Sequence, residues 1–127
     1  MNLLLIDGLP FIEITLCYKK MCVIIPNVLV DTGSATTIFS SDMAEPVGII
    51  PEPDDVPYFI SGVGGTEIVY RRRVDCIKIS EFQLSDFDVE IGAMDYGFNI
   101  NGILGMDFLK KAKAVINLAE GKIHFQK

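Results

Sequence analysis

Positive charge is scarce in this chain. Eleven lysines and arginines stand against seventeen acids, a net charge of −6 over 127 residues. That balance argues against nonspecific nucleic-acid binding. The one basic run, Arg71-Arg72-Arg73, is short and not interleaved with aromatics. It reads as a solvated strand end rather than a phosphate or acidic-partner site. Long hydrophobic runs are missing too. The start, Met1-Asn2-Leu3-Leu4-Leu5-Ile6-Asp7, holds four consecutive apolar residues and no basic leader. That is too short for a signal-peptide core or a bilayer span, so no secretion or membrane element is expected. Cysteine is sparse: Cys17, Cys22 and Cys76 show no Cys-x-x-Cys spacing. They read as buried free thiols rather than metal ligands or a disulfide framework, which suits a reducing, cytoplasmic compartment. The lone histidine, His124, reads as an outward-facing strand residue. No internal repeat or low-complexity segment is found.

What is present is globular. Half the residues are hydrophobic and 22% are charged, which sets the chain apart from disordered sequences. One domain over residues 1–127 is expected, and a chain of this size buries roughly two-thirds of its unfolded surface. Short strands dominate. Ile12, Ile14 and Leu16 alternate with Glu13 and Thr15; Phe87, Val89 and Ile91 with Asp88 and Glu90; Ile123 and Phe125 with Lys122 and His124. Each pattern has period two with one buried face. Lys19-Lys20 marks a hairpin tip between strands over 12–18 and 21–30, and Pro26 predicts an edge position or a bulge in the second. One short helix is expected from Ser41-Asp42 up to Pro46, another over residues 106–112, where Lys110 and Lys111 suit the C-terminal dipole. Pro51, Pro53 and Pro57, with acids between them, make an exposed loop.

The chemistry concentrates in Leu29-Val30-Asp31-Thr32-Gly33-Ser34-Ala35-Thr36-Thr37-Ile38. Asp-Thr-Gly after a strand is also an ordinary turn. Here, however, Leu29 and Val30 put Asp31 at the end of a buried strand, where an unpaired carboxylate is costly. Ser34, Thr36 and Thr37 supply hydroxyls nearby. A carboxylate so placed is a candidate general acid or base.

This run resembles the active-site loop of aspartic proteases, and the chain's length resembles their single-domain, retropepsin branch. Two further segments agree. Asn101-Gly102-Ile103-Leu104-Gly105-Met106-Asp107-Phe108-Leu109 is similar to the hydrophobic-hydrophobic-Gly segment that packs beneath that loop. Between them, Tyr58-Phe59-Ile60-Ser61-Gly62-Val63-Gly64-Gly65-Thr66-Glu67-Ile68-Val69-Tyr70 is similar to the glycine-tipped flap. The resemblance implies an all-β fold, a closed acid-protease-type barrel with a flap hairpin and one short C-terminal helix. It also implies a role for each residue. Asp31 would be the catalytic carboxylate, and Thr32 a brace between two loops. Gly33 would permit the turn, and Ser34 would hydrogen-bond Asp31. Ile60, Gly62, Val63, Gly64 and Gly65 would contact substrate, and Ile103, Leu104 and Gly105 would support the loop from below. No metal and no cofactor are implied.

Asp-Thr-Gly occurs once, and no Asp-Ser-Gly accompanies it. By the resemblance, the second carboxylate would come from a second copy, so a homodimer is expected, with an extended polypeptide as substrate and neither nucleic acid nor membrane as partner. The alternative is an inactive module of this fold that binds peptides or dimerises. One departure from the viral pattern stands out. Ala35 and Met106 replace the acid and arginine that pair near the viral dimer interface, which predicts an apolar contact there and a cellular or bacterial member. The terminal segments, 2–6 and 123–125, are apolar enough either to interleave between copies or to pair within one.

Overall fold

The computed structural model describes residues 1–62 and 65–126. In chain order the strands are β1 (Leu4–Ile6), β2 (Leu9–Tyr18), β3 (Met21–Val30), β4 (Ile38–Ser40), β5 (Tyr58–Gly62), β6 (Gly65–Ile79), β7 (Phe82–Gly92), β8 (Gly102–Leu104), β9 (Val115–Asn117) and β10 (Lys122–His124). Helix α1 (Ser41–Ala44) follows β4 and α2 (Met106–Lys111) follows β8. Eight strands form one sheet in the order β1-β2-β3-β8-β4-β7-β6-β5. A further pairing of β2 with β6 closes the strands from β2 to β6 into a ring.

The β2–β3 hairpin turns at Lys19-Lys20, whose φ values of 47° and 71° are the paired positive angles of a two-residue hairpin turn. Pro26 lies at a bulge. Ile12 faces Val28 but Ile14 faces Ile25, so β3 holds one extra residue there, and Asn27 takes φ 56°. The bulge frees the Pro26 carbonyl for the Asn101 amide and the Asn27 carbonyl for the Asn101 N–H, at 2.8 and 3.0 Å. A proline inside an internal strand is thereby accommodated.

The ring is filled by Ile14, Leu16, Ile25, Phe39, Ile77, Ile91 and Leu104, all fully buried. Phe108 seats α2 against this core, with Phe82, Phe87 and Phe125 edge-on around it. The first helix stops short of Pro46, as expected. Helix α1 ends at Ala44 and the chain continues for one 3-10 turn (Glu45–Val47), whose first positions need no proline N–H.

Three expectations are corrected. Cys17 and Cys22 form a disulfide; only Cys76 is a free thiol. The two-residue turn places Cys17 directly opposite Cys22 across the hairpin. This removes the thiol argument for a reducing compartment. The arginine run is not a solvated strand end but lies mid-strand in β6. Arg72 reaches Glu52 at 2.9 Å and Asp55 at 2.8 Å, pinning the proline-rich loop, and Arg73 pairs with Asp88. Glu90 is not on a solvated face: it is 3% exposed. The termini pair within the chain. The Met1 ammonium donates to the Ile123 carbonyl at 2.9 Å, and the Leu3 N–H to that of Gly121 at 2.8 Å.

Candidate active site

Asp31 follows directly on β3, and its position is held from below. Its N–H donates to the Leu104 carbonyl at 3.0 Å, extending the parallel β3–β8 pairing by one residue. The N–H of Gly33 donates to Asp31 Oδ1 at 2.8 Å and that of Ser34 to the Asp31 carbonyl at 3.2 Å, so the turn folds back on its own carboxylate. A Cβ at Gly33 would lie 3.1 Å from that oxygen, which favours glycine there.

The hydroxyl cluster does not serve Asp31 as the sequence suggests. Ser34 Oγ donates to the Thr36 carbonyl at 2.7 Å, Thr36 Oγ1 to Glu90 at 2.5 Å, and Thr37 Oγ1 to Asp107 at 2.7 Å. The expected Ser34–Asp31 side-chain bond is thus replaced by the Gly33 N–H. Among the described residues, that N–H is the one protein donor to the Asp31 carboxylate. The physical reason is that the hydroxyls brace the loop, leaving the carboxylate's remaining lone pairs turned to the cleft.

Beneath the loop, Ile103 and Leu104 are buried. The Gly105 N–H donates to Thr37 Oγ1 at 3.1 Å. A Cβ at Gly105 would sit 2.1 Å from the Thr36 carbonyl oxygen, so no side chain fits. The N–H groups of Met106 and Asp107 donate to the Ser34 and Ala35 carbonyls at 2.7 and 3.2 Å. Asp107 then binds the N–H and hydroxyl of Thr37. The sequence reading placed Asp107 only within the segment beneath the loop; Thr37 and Asp107 together clamp the loop to α2.

Above the loop, β5 and β6 form a hairpin in which Gly62 faces Gly65, and Gly65 takes φ 105°. Val63 and Gly64, the middle of the expected Gly62–Gly65 tip, lie outside the described residues. A cleft of about 470 Å³ separates loop from hairpin, lined by Asp31, Gly33, Ser34, Ile60, Gly65 and Ile103 among others. Thr32 lies outside this lining. It borders a separate depression with Met106, Leu109 and Ile116.

Polar residues that the sequence reading did not single out also face the cleft. Tyr58 donates its hydroxyl to Glu90, and Tyr96 donates to Glu67. Burial, followed by the neighbouring carboxylate, raises both phenols above their ordinary range. The signal for Glu90 was weak, because an acid alternating with Val89 and Ile91 looks like the wet face of a strand.

The comparisons with known proteins agree with this geometry. Residues 26–111 match the family model described as "gag-polyprotein putative aspartyl protease". The chain belongs to this family of retropepsin-like aspartic proteases. DNA damage-inducible protein 1 of Neurospora crassa is 37% identical over 102 residues, covering 79% of this chain. The match spans 22% of that relative's length. The solved structure of EIAV protease complexed with the inhibitor HBY-793 superposes with a TM-score of 0.62 at 19% identity, covering 89% of this chain and 96% of that one. The fold is therefore the all-β acid-protease type. No helix among the described residues is long and apolar enough to cross a membrane.

Proposed function

We propose that this chain is an aspartic endopeptidase that works as a twofold homodimer, with Asp31 and its symmetry mate sharing one water. The observation that carries this is the Asp31 carboxylate, bound by its own loop and open to a peptide-sized cleft. Two carboxylates at close range cannot both ionise and so hold a proton between them. The ionised one takes a proton from the water while the protonated one donates to the scissile carbonyl, and the water attacks with no covalent enzyme intermediate. Thr32 is exposed, and its hydroxyl has no partner among the described residues, which suits a brace to the second copy. Ile60, Gly62, Val63, Gly64 and Gly65 cover the substrate, which lies extended and adds a strand to the hairpin. Ile103, Leu104 and Gly105 hold the loop beneath.

The test is Asp31→Asn with a peptide library across about pH 3–8. Wild-type protein is expected to cleave and to sediment as a dimer at the same concentration, and the variant to lose at least about a thousandfold in kcat with its fold intact. Cleavage by a monomer would defeat the dimer mechanism. Equal inertness of both proteins, with peptide still bound, would favour a binding module.

A further inference from the structure

Glu90 is the one charged side chain in the buried set of described residues, beside Thr37 and Ser40. Its place in the sheet is central: it faces Ile38 on β4 and Arg71 on β6, and its N–H donates to the Thr37 carbonyl at 2.9 Å. The carboxylate has two donors from two different walls of the cleft. Oε1 accepts from Thr36 Oγ1 on the Asp31 loop at 2.5 Å, and Oε2 accepts from the hydroxyl of Tyr58, the first residue of β5. That hydroxyl in turn accepts from Arg71 Nε at 2.8 Å, and the guanidinium lies 5.1 Å from the centre of the Tyr58 ring. One chain of bonds thus runs from the loop, through β7, into both strands of the hairpin.

We propose that Glu90 is a positioning residue that fixes the base of the flap hairpin to the Asp31 loop. This rests on the reading of the cleft as peptide-binding. An apolar side chain would fill this interior site without the desolvation penalty of a charge. A buried carboxylate supplies what an apolar residue cannot: two directed acceptors that hold Thr36 and Tyr58 at one separation. Because Tyr58 and Arg71 are held, bending of the hairpin is confined to the residues beyond them, 59–62 and 65–70. The height of the hairpin base above Asp31 is set by Glu90, and closure over a peptide starts from there.

Amide hydrogen exchange on the full chain tests this without any appeal to catalysis. In Tyr58→Phe, exchange at the hairpin amides of residues 58–62 and 65–71 is expected to rise about tenfold, with β2 and β3 unchanged. Thr36→Val is expected to act similarly, and the double variant to add little, because both bonds act through one carboxylate. Glu90→Leu separates positioning from packing: melting temperature is held or raised while hairpin exchange still rises, and Glu90→Gln, which keeps one acceptor oxygen, restores part of the protection. If Glu90→Leu fails to fold, Tyr58→Phe carries the test alone. Unchanged hairpin exchange in Tyr58→Phe, additive effects, or a rise spread evenly over the molecule would overturn the proposal. Should peptides be cleaved, Tyr58→Phe is also expected to raise KM several-fold while kcat moves less than about twofold. Absence of cleavage bears on the protease reading, and the exchange result stands apart from it.

Discussion

The floor and the roof of the cleft are built on opposite plans. The floor, residues 31–37, is tied to β8 and α2 through Leu104, Gly105, Met106 and Asp107, and every one of those ties has a buried or half-buried partner. The roof is a hairpin whose outer strand, β5, pairs among the described residues with β6 alone. Phe59 and Ile68 face each other across it while 72% and 58% exposed. On the proposed mechanism the Asp31 carboxylate meets a second one, and that needs a fixed backbone. On the same proposal the hairpin admits a peptide, and such a hairpin draws on the weakly stabilised end of the fold. The contrast predicts that changes in the floor unfold the protein, whereas changes in the roof leave stability alone.

Gly105→Ala is the sharpest way to break the comparison. The added methyl would meet the Thr36 carbonyl oxygen at 2.1 Å and the Ser34 carbonyl oxygen at 2.9 Å, both backbone atoms. Neither can swing away, so a loss of more than about 3 kcal/mol is expected in urea unfolding. A soluble variant with wild-type stability would mean the loop yields, and the floor would not be the stiff wall. Thr37→Val is next. Its volume is conserved, but the Gly105 N–H loses its acceptor in a buried site and Asp107 loses a donor. About 2–3 kcal/mol is expected on the same assay.

How far these walls were legible in the sequence depends on how local their causes are. The hairpin at Lys19-Lys20, the bulge at Pro26 and the helix after Gly105 follow from neighbours in the chain, and period two marked Ile12, Ile14 and Leu16 as buried. The pairing of Cys17 with Cys22 was also local. Once a two-residue turn joins Tyr18 to Met21, the next residues out must face each other. Counting cysteines without using that turn left them free. Other features needed partners far along the chain. Arg72 lies 17 residues from Asp55 and Glu90 lies 54 from Thr36, and no periodicity reports either contact. The loop hydroxyls were rightly placed near Asp31 but wrongly aimed: Ser34 turns to the Thr36 carbonyl within the loop, and the acceptors of Thr36 and Thr37, Glu90 and Asp107, arrive from β7 and α2.

The loop that leads into the roof gives a pH-dependent form of the comparison. Hydrogen bonds from Arg72, then from the Glu52 N–H, hold the Asp55 carboxyl below its ordinary value of 3.8. A depressed folded value means the stabilisation is complete above 3.8 and is lost as pH falls through the folded value. In Asp55→Asn the melting temperature is therefore expected to lie below wild type at about pH 6, and the gap to narrow below pH 3.8 as Asp55 in wild type is protonated. A gap that stays constant down to about pH 2 would show that the Arg72–Asp55 pair does not hold the loop.

The smallest effect is expected at the roof itself. Ile68→Thr removes an exposed apolar side chain from β6, opposite Phe59, and keeps a β-branched residue suited to a strand. Stability is expected to stay within about 0.5 kcal/mol, since little buried apolar area is lost. A drop comparable to that of Thr37→Val would mean this face is covered by something other than water in solution. The two walls would then differ in their partners, and no longer in their stiffness. Measuring the variant at two protein concentrations decides which. A deficit intrinsic to the hairpin is independent of concentration, whereas one that arises from a second copy covering Phe59 and Ile68 shrinks as the protein is diluted, because the wild type then loses the same stabilisation.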